Sequence, residues 1–129
     1  MSGTNAPARR ILLIDDNVDS CELFAELLAS LGHTVRTALD GHEGLSQLVT
    51  GAYDVAVIDI GLPGLDGYTV ARRARAELGE KMPFLVAVTG YGEARHKAES
   101  REAGFSAHLV KPVDIDVLVA AITQAPRLI

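Results

Sequence analysis

The feature that most constrains this chain is a regular alternation in which a short apolar run precedes a longer amphipathic stretch, five times over. The apolar runs are Ile11–Ile14, Val35–Ala38, Val55–Ile58, Phe84–Val88 and Ala107–Val110. Three of them are nearly continuous in apolar residues, as strands covered on both faces of a parallel sheet should be. The stretches between them read as helices. Asp19–Leu31 carries Leu23, Phe24, Leu27, Leu28 and Leu31 at helical spacing, a stripe expected to be core, and Gly32 stops it. Asp40 caps a second helix running to about Val49 near Gly51, and Tyr68–Leu78 ends at Gly79. Glu93–Ala103 ends at Gly104, and Asp114 caps Ile115–Thr123 before Pro126. Strand then helix, repeated in this way, predicts an α/β fold: a parallel sheet with right-handed crossovers and helices on both faces.

A chain of 129 residues suits one such domain. Met1 to Ala8, rich in Ser, Gly, Asn and Pro, reads as a flexible N-terminal lead, with the domain over 9–124 and a short tail over 125–129. Apolar residues at 48% and charged residues at 22% give a globular balance. A formal charge of −5, from 12 basic and 17 acidic side chains, disfavours non-specific nucleic-acid binding. No apolar run approaches the roughly 20 residues that span a bilayer, and the start lacks a signal-peptide pattern. Cys21 is the single cysteine, so no internal disulfide can form, which fits a reducing, cytoplasmic compartment.

In sheets of this kind the functional crevice lies beyond the carboxyl ends of the strands. Here those ends carry Asp15 and Asp16, Asp59, Thr89 and Lys111, and none of the reactive groups falls at the opposite rim. Three carboxylates close together repel and raise one another's pKa unless a cation compensates them. A hard divalent ion such as Mg2+, which keeps several waters, fits a site with few protein ligands. Each residue also has a plainer reading. An Asp after a strand is commonly a turn former or helix cap, Thr89 an ordinary strand-end residue and Lys111 a surface charge. Asp66 and Asp114 are expected to be only turn and cap residues. The coincidence of five groups on one rim favours a phosphoryl-transfer site instead. In it metal and ammonium neutralise the equatorial oxygens while a carboxylate attacks in line. Asp59, alone between Ile58 and Ile60, is the expected nucleophile, and Asp15 and Asp16 the expected ion ligands.

The segments Ile-Leu-Leu-Ile-Asp-Asp-Asn at 11–17, Asp59-Ile-Gly-Leu-Pro-Gly-Leu-Asp-Gly-Tyr68, Val88-Thr89-Gly90 and Lys111-Pro112 together resemble the receiver domain of bacterial two-component response regulators, over residues 9–124. The resemblance implies a flavodoxin-like, doubly wound (βα)5 sandwich with strand order 2-1-3-4-5. It implies transfer of phosphate to Asp59 from a phosphohistidine on a sensor histidine kinase or a histidine-phosphotransfer protein. Asp16, Asp59 and the Gly61 carbonyl would hold Mg2+, with Asp15 contributing directly or through water. Lys111 would pair with Asp59 and then with the phosphoryl group. Thr89 would hydrogen-bond that group, and the amides of Gly61 and Gly90 would complete its cradle. The Lys111–Pro112 peptide would be cis.

The family often has Tyr or Phe three residues before the Lys, whereas here that position is His108, smaller and able to protonate. The aromatic swing is therefore not carried over, and a plain surface role for His108 stays open beside a switching one. The stretch Ala107-His108-Leu109-Val110-Lys111-Pro112-Val113-Asp114 is similar to receivers attached to hybrid sensor kinases. Six residues follow Thr123, so no effector domain is expected after it, and a stand-alone receiver and a receiver from a larger kinase both fit. On the first helix, Val18, Cys21 and Ala25 are expected on a face beside the acidic rim, either as a docking surface for the phosphodonor or as scattered surface residues.

Rival functions leave other marks. An aspartyl-phosphate phosphatase usually has a second acid two residues after its nucleophile, where this chain has Gly61. A flavodoxin-like nucleotide binder needs a Gly/Ser/Thr-rich loop after the first strand, where Asp15-Asp16-Asn17 would repel phosphate. A receiver kept only for docking would not need all five site residues.

Overall fold

The computed structural model describes residues 8–90 and 101–126. Strands β1 (Arg10–Ile14), β2 (Thr34–Ala38), β3 (Val55–Asp59), β4 (Phe84–Thr89) and β5 (Ala107–Val110) form one all-parallel sheet in the order β2-β1-β3-β4-β5. Helices α1 (Val18–Ser30), α2 (Gly41–Thr50), α3 (Gly67–Leu78) and α4 (Ile115–Gln124) cross between or follow the strands. Residues 101–103 are helical and stop at Gly104, whose φ of 105° suits a residue without a Cβ. The rest of the helix expected over Glu93–Ala103 lies outside the described residues. No helix among those described is long and apolar enough to cross a membrane.

Helix starts follow the capping chemistry of the sequence. Asn17, Asp40, Asp66 and Asp114 each accept a hydrogen bond from a backbone N–H of the first turn. At α2 the cap is reciprocal, because Glu43 also accepts from the N–H of Leu39, which precedes the cap. Asp66 and Asp114 are therefore caps, as expected. Strands β3 and β4 run one residue longer than the apolar pattern suggests, ending on Asp59 and Thr89 themselves. Both side chains thus inherit the direction of a strand residue.

The sheet divides two apolar layers. Leu12, Ile14, Ala56, Ile58, Leu85 and Ala87 face α3 residues Val70, Ala71 and Ala74. Ile11, Leu13, Val55, Val57, Val86 and Val88 face Cys21 and Leu28 of α1 and Leu118 and Ile122 of α4. This alternation along each strand is the two-residue period of a pleated backbone.

Helix α1 is rotated from the expected orientation. Its inward face is Cys21, Phe24, Ala25 and Leu28, with Cys21 and Leu28 buried. Leu23 and Leu31 are 55% and 56% exposed, and Leu27 is 36% exposed, so of the expected stripe only Phe24 and Leu28 belong to the core. The reason is proximity to β1. The Sγ of Cys21 lies 4.0 Å from the carbonyl oxygen of Leu13, so the helix meets β1 closely at this small residue. Bulk alone was the wrong guide, because Phe24 and Leu28 pack inward while Leu23 and Leu31 sit on the flank. Cys21 is accordingly not a surface residue, and of the three positions expected beside the rim only Val18 is well exposed, at 46%.

Charged residues do occupy the amino rim of the sheet, contrary to the simplest reading of the pattern. Arg9 and Asp54 are buried there and each bonds to backbone, while Nε and Nη1 of Arg9 have no hydrogen-bond partner among the described residues. Asp54 accepts from the N–H of Arg10 at 2.8 Å. The Arg9 guanidinium donates through Nη2 to the carbonyl oxygens of Ala125 (2.6 Å) and Thr123 (3.3 Å), closing the end of α4. The Arg9 N–H in turn donates to Nδ1 of His33 at 3.0 Å.

Candidate functional site

Asp59 follows Val55 and Val57 on its strand, so its side chain falls on the α1/α4 side of the sheet. Asp15 continues the Ile11–Leu13 series and Lys111 the Ala107–Leu109 series, which brings all three to the same side. Thr89 follows Leu85 and Ala87 and so falls on the other side, where His108 faces it from β5. The strand period, more than the loops, sorts the site into two groups.

In the first group Asp59 is 4% exposed and both of its oxygens are engaged. Oδ2 accepts from Nζ of Lys111 at 2.7 Å, and Oδ1 accepts from the Gly61 N–H at 2.9 Å. The Lys111 N–H itself donates to the Thr89 carbonyl at 2.8 Å, which fixes the root of the lysine, and the Lys111–Pro112 peptide is cis. Asp15 Oδ1 accepts from the Asn17 N–H at 2.9 Å, while Asn17 caps α1. One oxygen each of Asp15, Asp16 and Asp59 lie within 4.8 Å of one another. Three hard oxygen donors in that space match the preference of Mg2+.

Among the described residues the charges are unbalanced, three carboxylates against the single ammonium of Lys111 that bonds to Asp59. The Asp15 carboxyl is held above its ordinary value, first by burial and then by the negative charges of Asp59 and Asp16, against the opposing Asn17 hydrogen bond and Lys111. For Lys111, burial works against the charged form. The Asp59 hydrogen bond and the charges of Asp59, Asp15 and Asp16 outweigh it and hold the ammonium above its ordinary value.

In the second group the Thr89 hydroxyl, on a residue 2% exposed, lies 2.8 Å from Nε2 of His108. Register explains the pairing: Ala87 opposes His108 and Thr89 opposes Val110, so Thr89 and His108 are diagonal neighbours on one face. Gly90 is exposed at the mouth, and a side chain there would meet nothing within 4 Å.

Two contributors were not legible from spacing. A Cβ at Gly67 would stand 2.8 Å from both the Asp59 carbonyl oxygen and the Ile60 Cα, so α3 begins directly against the end of β3. The Gly67 N–H also donates to the Ile60 carbonyl at 3.2 Å. The signal was a glycine beginning a helix beside the expected nucleophile. The other is a cleft of about 530 Å³ between α1 and α4, which opens on Asp59 and Lys111 and is walled by Leu13, Phe24, Val57 and Leu118. No local pattern marks a space bounded by four separate elements.

Comparison with known proteins agrees with this geometry. Residues 11–123 match the response regulator receiver domain family. Over 108 residues the chain is 39% identical to the sensor histidine kinase RcsC of Salmonella typhimurium, which covers 84% of this chain and 11% of that protein. It is 34% identical over 118 residues to the transcriptional regulatory protein DltR of Streptococcus agalactiae, covering 92% of this chain and 52% of DltR. A CheY-like response regulator receiver domain protein from Methanospirillum hungatei has the same fold, with a TM-score of 0.82 at 29% identity over 90% of this chain and 91% of that one. The chain thus spans about a tenth of RcsC and about half of DltR. Since the match runs through every strand of the sheet and into its last helix, the chain belongs to the response regulator receiver domain family of two-component systems.

Proposed function

We propose that Asp59 is the phosphoacceptor of this receiver, taking a phosphoryl group from a phosphohistidine on a sensor histidine kinase or a histidine-phosphotransfer protein. The observation that carries the reading is the 2.7 Å bond between Lys111 and a buried Asp59, beside two further carboxylates. A carboxylate oxygen of Asp59 attacks phosphorus in line. The O–P bond forms as the P–N bond breaks, and the electron pair returns to the donor imidazole. Lys111 then transfers its charge-assisted hydrogen bond from carboxylate to phosphoryl oxygen. The amides of Gly61 and Gly90 and the Thr89 hydroxyl receive the other oxygens. Asp15, Asp16, Asp59 and the Gly61 carbonyl would hold Mg2+, which when bound supplies positive charge against the phosphoryl oxygens.

The domain works as a switch and not as a turnover enzyme, because Gly61 stands where a phosphatase of this type carries its general acid. Its output is a change of protein partner at the face that includes β5 and α4, driven by Thr89 moving toward the phosphoryl group. The phosphodonor docks beside the rim at α1. Since Cys21 and Ala25 pack toward the sheet, Val18, Leu23 and Leu27 are the apolar groups that α1 offers it. A cytoplasmic location gives access to such donors and keeps Cys21 reduced.

Acetyl phosphate with Mg2+ should add one phosphoryl mass to the native chain and none to Asp59→Asn. Equal labelling of both would remove Asp59 from the mechanism. At the docking face, Leu23→Arg should slow transfer from a phosphohistidine partner and leave acetyl phosphate labelling intact. Equal rates with the partner would place docking elsewhere.

A further inference from the structure

We infer that His108 is a positioning residue that competes with the phosphoryl group for the Thr89 hydroxyl. Strand β4 lies between β3, which carries Asp59, and β5, which carries His108. The hydroxyl bonded to Nε2 at 2.8 Å is therefore drawn toward β5, away from the strand of the phosphoacceptor. Thr89 also stands on the sheet face opposite Asp59. Among the described residues the hydroxyl pairs with His108, and the partners of the Asp59 oxygens are Lys111 and Gly61. For Oγ1 to reach a phosphoryl oxygen the Thr89 side chain must rotate about its Cα–Cβ bond. That rotation breaks the contact with Nε2 whichever tautomer the imidazole holds.

The bond therefore sets a threshold on activation. An aromatic hydrocarbon at position 108 would fill space without holding the hydroxyl, whereas the imidazole holds it until a stronger, charged acceptor appears. One neutral hydrogen bond corresponds to about a fivefold bias in the rest-to-active equilibrium. On phosphorylation the imidazole loses its bond to Thr89 at the sheet edge, beside exposed Val110, so the same event alters the surroundings of β5.

The inference rests on the phosphoacceptor assignment above, and the test separates the two. The readout is the affinity of the full chain, with Mg2+, for beryllofluoride as a phosphoryl mimic. His108→Phe, which keeps a ring but no nitrogen, should bind about fivefold more tightly than the native chain. His108→Gln, whose side-chain amide reaches to the position of Nε2, should stay near the native value. In a Thr89→Val background, where affinity is already lowered, His108→Phe should add nothing, because its effect acts through the hydroxyl. The His108 15N signal of Nε2 should also move in Thr89→Val. A native affinity in His108→Phe, or an equal gain with and without the Thr89 hydroxyl, would overturn the inference. Failure of the native chain to bind beryllofluoride, or binding undiminished in Asp59→Asn, would instead overturn the phosphoacceptor assignment beneath it.

Discussion

At the carboxyl end of the sheet, Asp15, Asp16 and Asp59 bring like charges within 4.8 Å with Lys111 bonded to one of them. At the amino end, Arg9, Asp54 and His33 are equally rich in charge and polarity, yet their hydrogen bonds go to backbone groups. Both ends contain buried ionisable residues, but among the described residues only the carboxyl end gathers like charges. A buried charge whose partners are backbone donors and carbonyls closes the fold. A cluster of like charges awaits a ligand. Burial alone does not distinguish the two ends of this molecule, and the clustering of like charge does.

Substitutions at the two rims should therefore fail in different ways. Asp59→Asn should abolish phosphoryl uptake while leaving stability unchanged or higher, since it removes one repelling carboxylate. Asp54→Ala should lower stability by about 1–3 kcal/mol, because the Arg10 N–H loses its acceptor, while acetyl phosphate labelling persists. Denaturant titration and intact mass, run on both variants, check the contrast. A labelling defect in folded Asp54→Ala would erase the distinction.

A similar contrast divides the faces of α1. Leu28→Ala should cost about 2–5 kcal/mol, whereas Leu23→Ala should stay within about 0.5 kcal/mol. The Cys21 thiol, pushed up to about 11 by burial and by the charges of Asp15, Glu22 and Glu43, should resist alkylation in the native state and react on unfolding. Rapid native alkylation would return Cys21 to the surface.

Mg2+ should raise the melting temperature by relieving the acidic rim, by about 1.4 kcal/mol at a tenfold excess over Kd. Asp16→Asn should shrink that gain. A melting temperature indifferent to millimolar Mg2+ would remove the ion from the site.

The smallest effect is a difference of sign. Asp15 is raised in the fold, so the native state holds its proton longer, and this residue lowers stability as pH climbs from 3.8 through its raised value. His33 is lowered, by burial and by Arg9, and its Nδ1 accepts the Arg9 N–H. Its contribution is present above 6.5 and is lost as pH falls through its depressed value. Stability curves for Asp15→Asn and His33→Gln should each flatten one of the two windows, and flattening in the other window would contradict the assignment.

Much of this was legible in the sequence. Continuous apolar runs gave away the strands because both faces of a parallel sheet are covered, and the residues after them could only lie at one rim. Asp40, Asp66 and Asp114 declared the helix starts through side-chain capping. The face of α1 was legible only in part: Phe24 and Leu28 are core as expected, but helical spacing groups Leu23, Leu27 and Leu31 as readily as Cys21, Ala25 and Leu28. Packing against the sheet, a tertiary property, selects the second set. The Thr89–His108 bond was likewise hidden, since it depends on the β4–β5 register. Arg9 reaches the end of α4 across almost the whole chain, and no local pattern carries such a contact.

The most direct test of the central claim is chemical mapping of the acceptor. Protein treated with acetyl phosphate and Mg2+ is reduced with borohydride, which converts an aspartyl phosphate to homoserine, and its peptides are sequenced by mass spectrometry. Homoserine at position 59 alone is the predicted result. Homoserine at position 15 or 16, or at no aspartate in a protein that has gained phosphoryl mass, would contradict it.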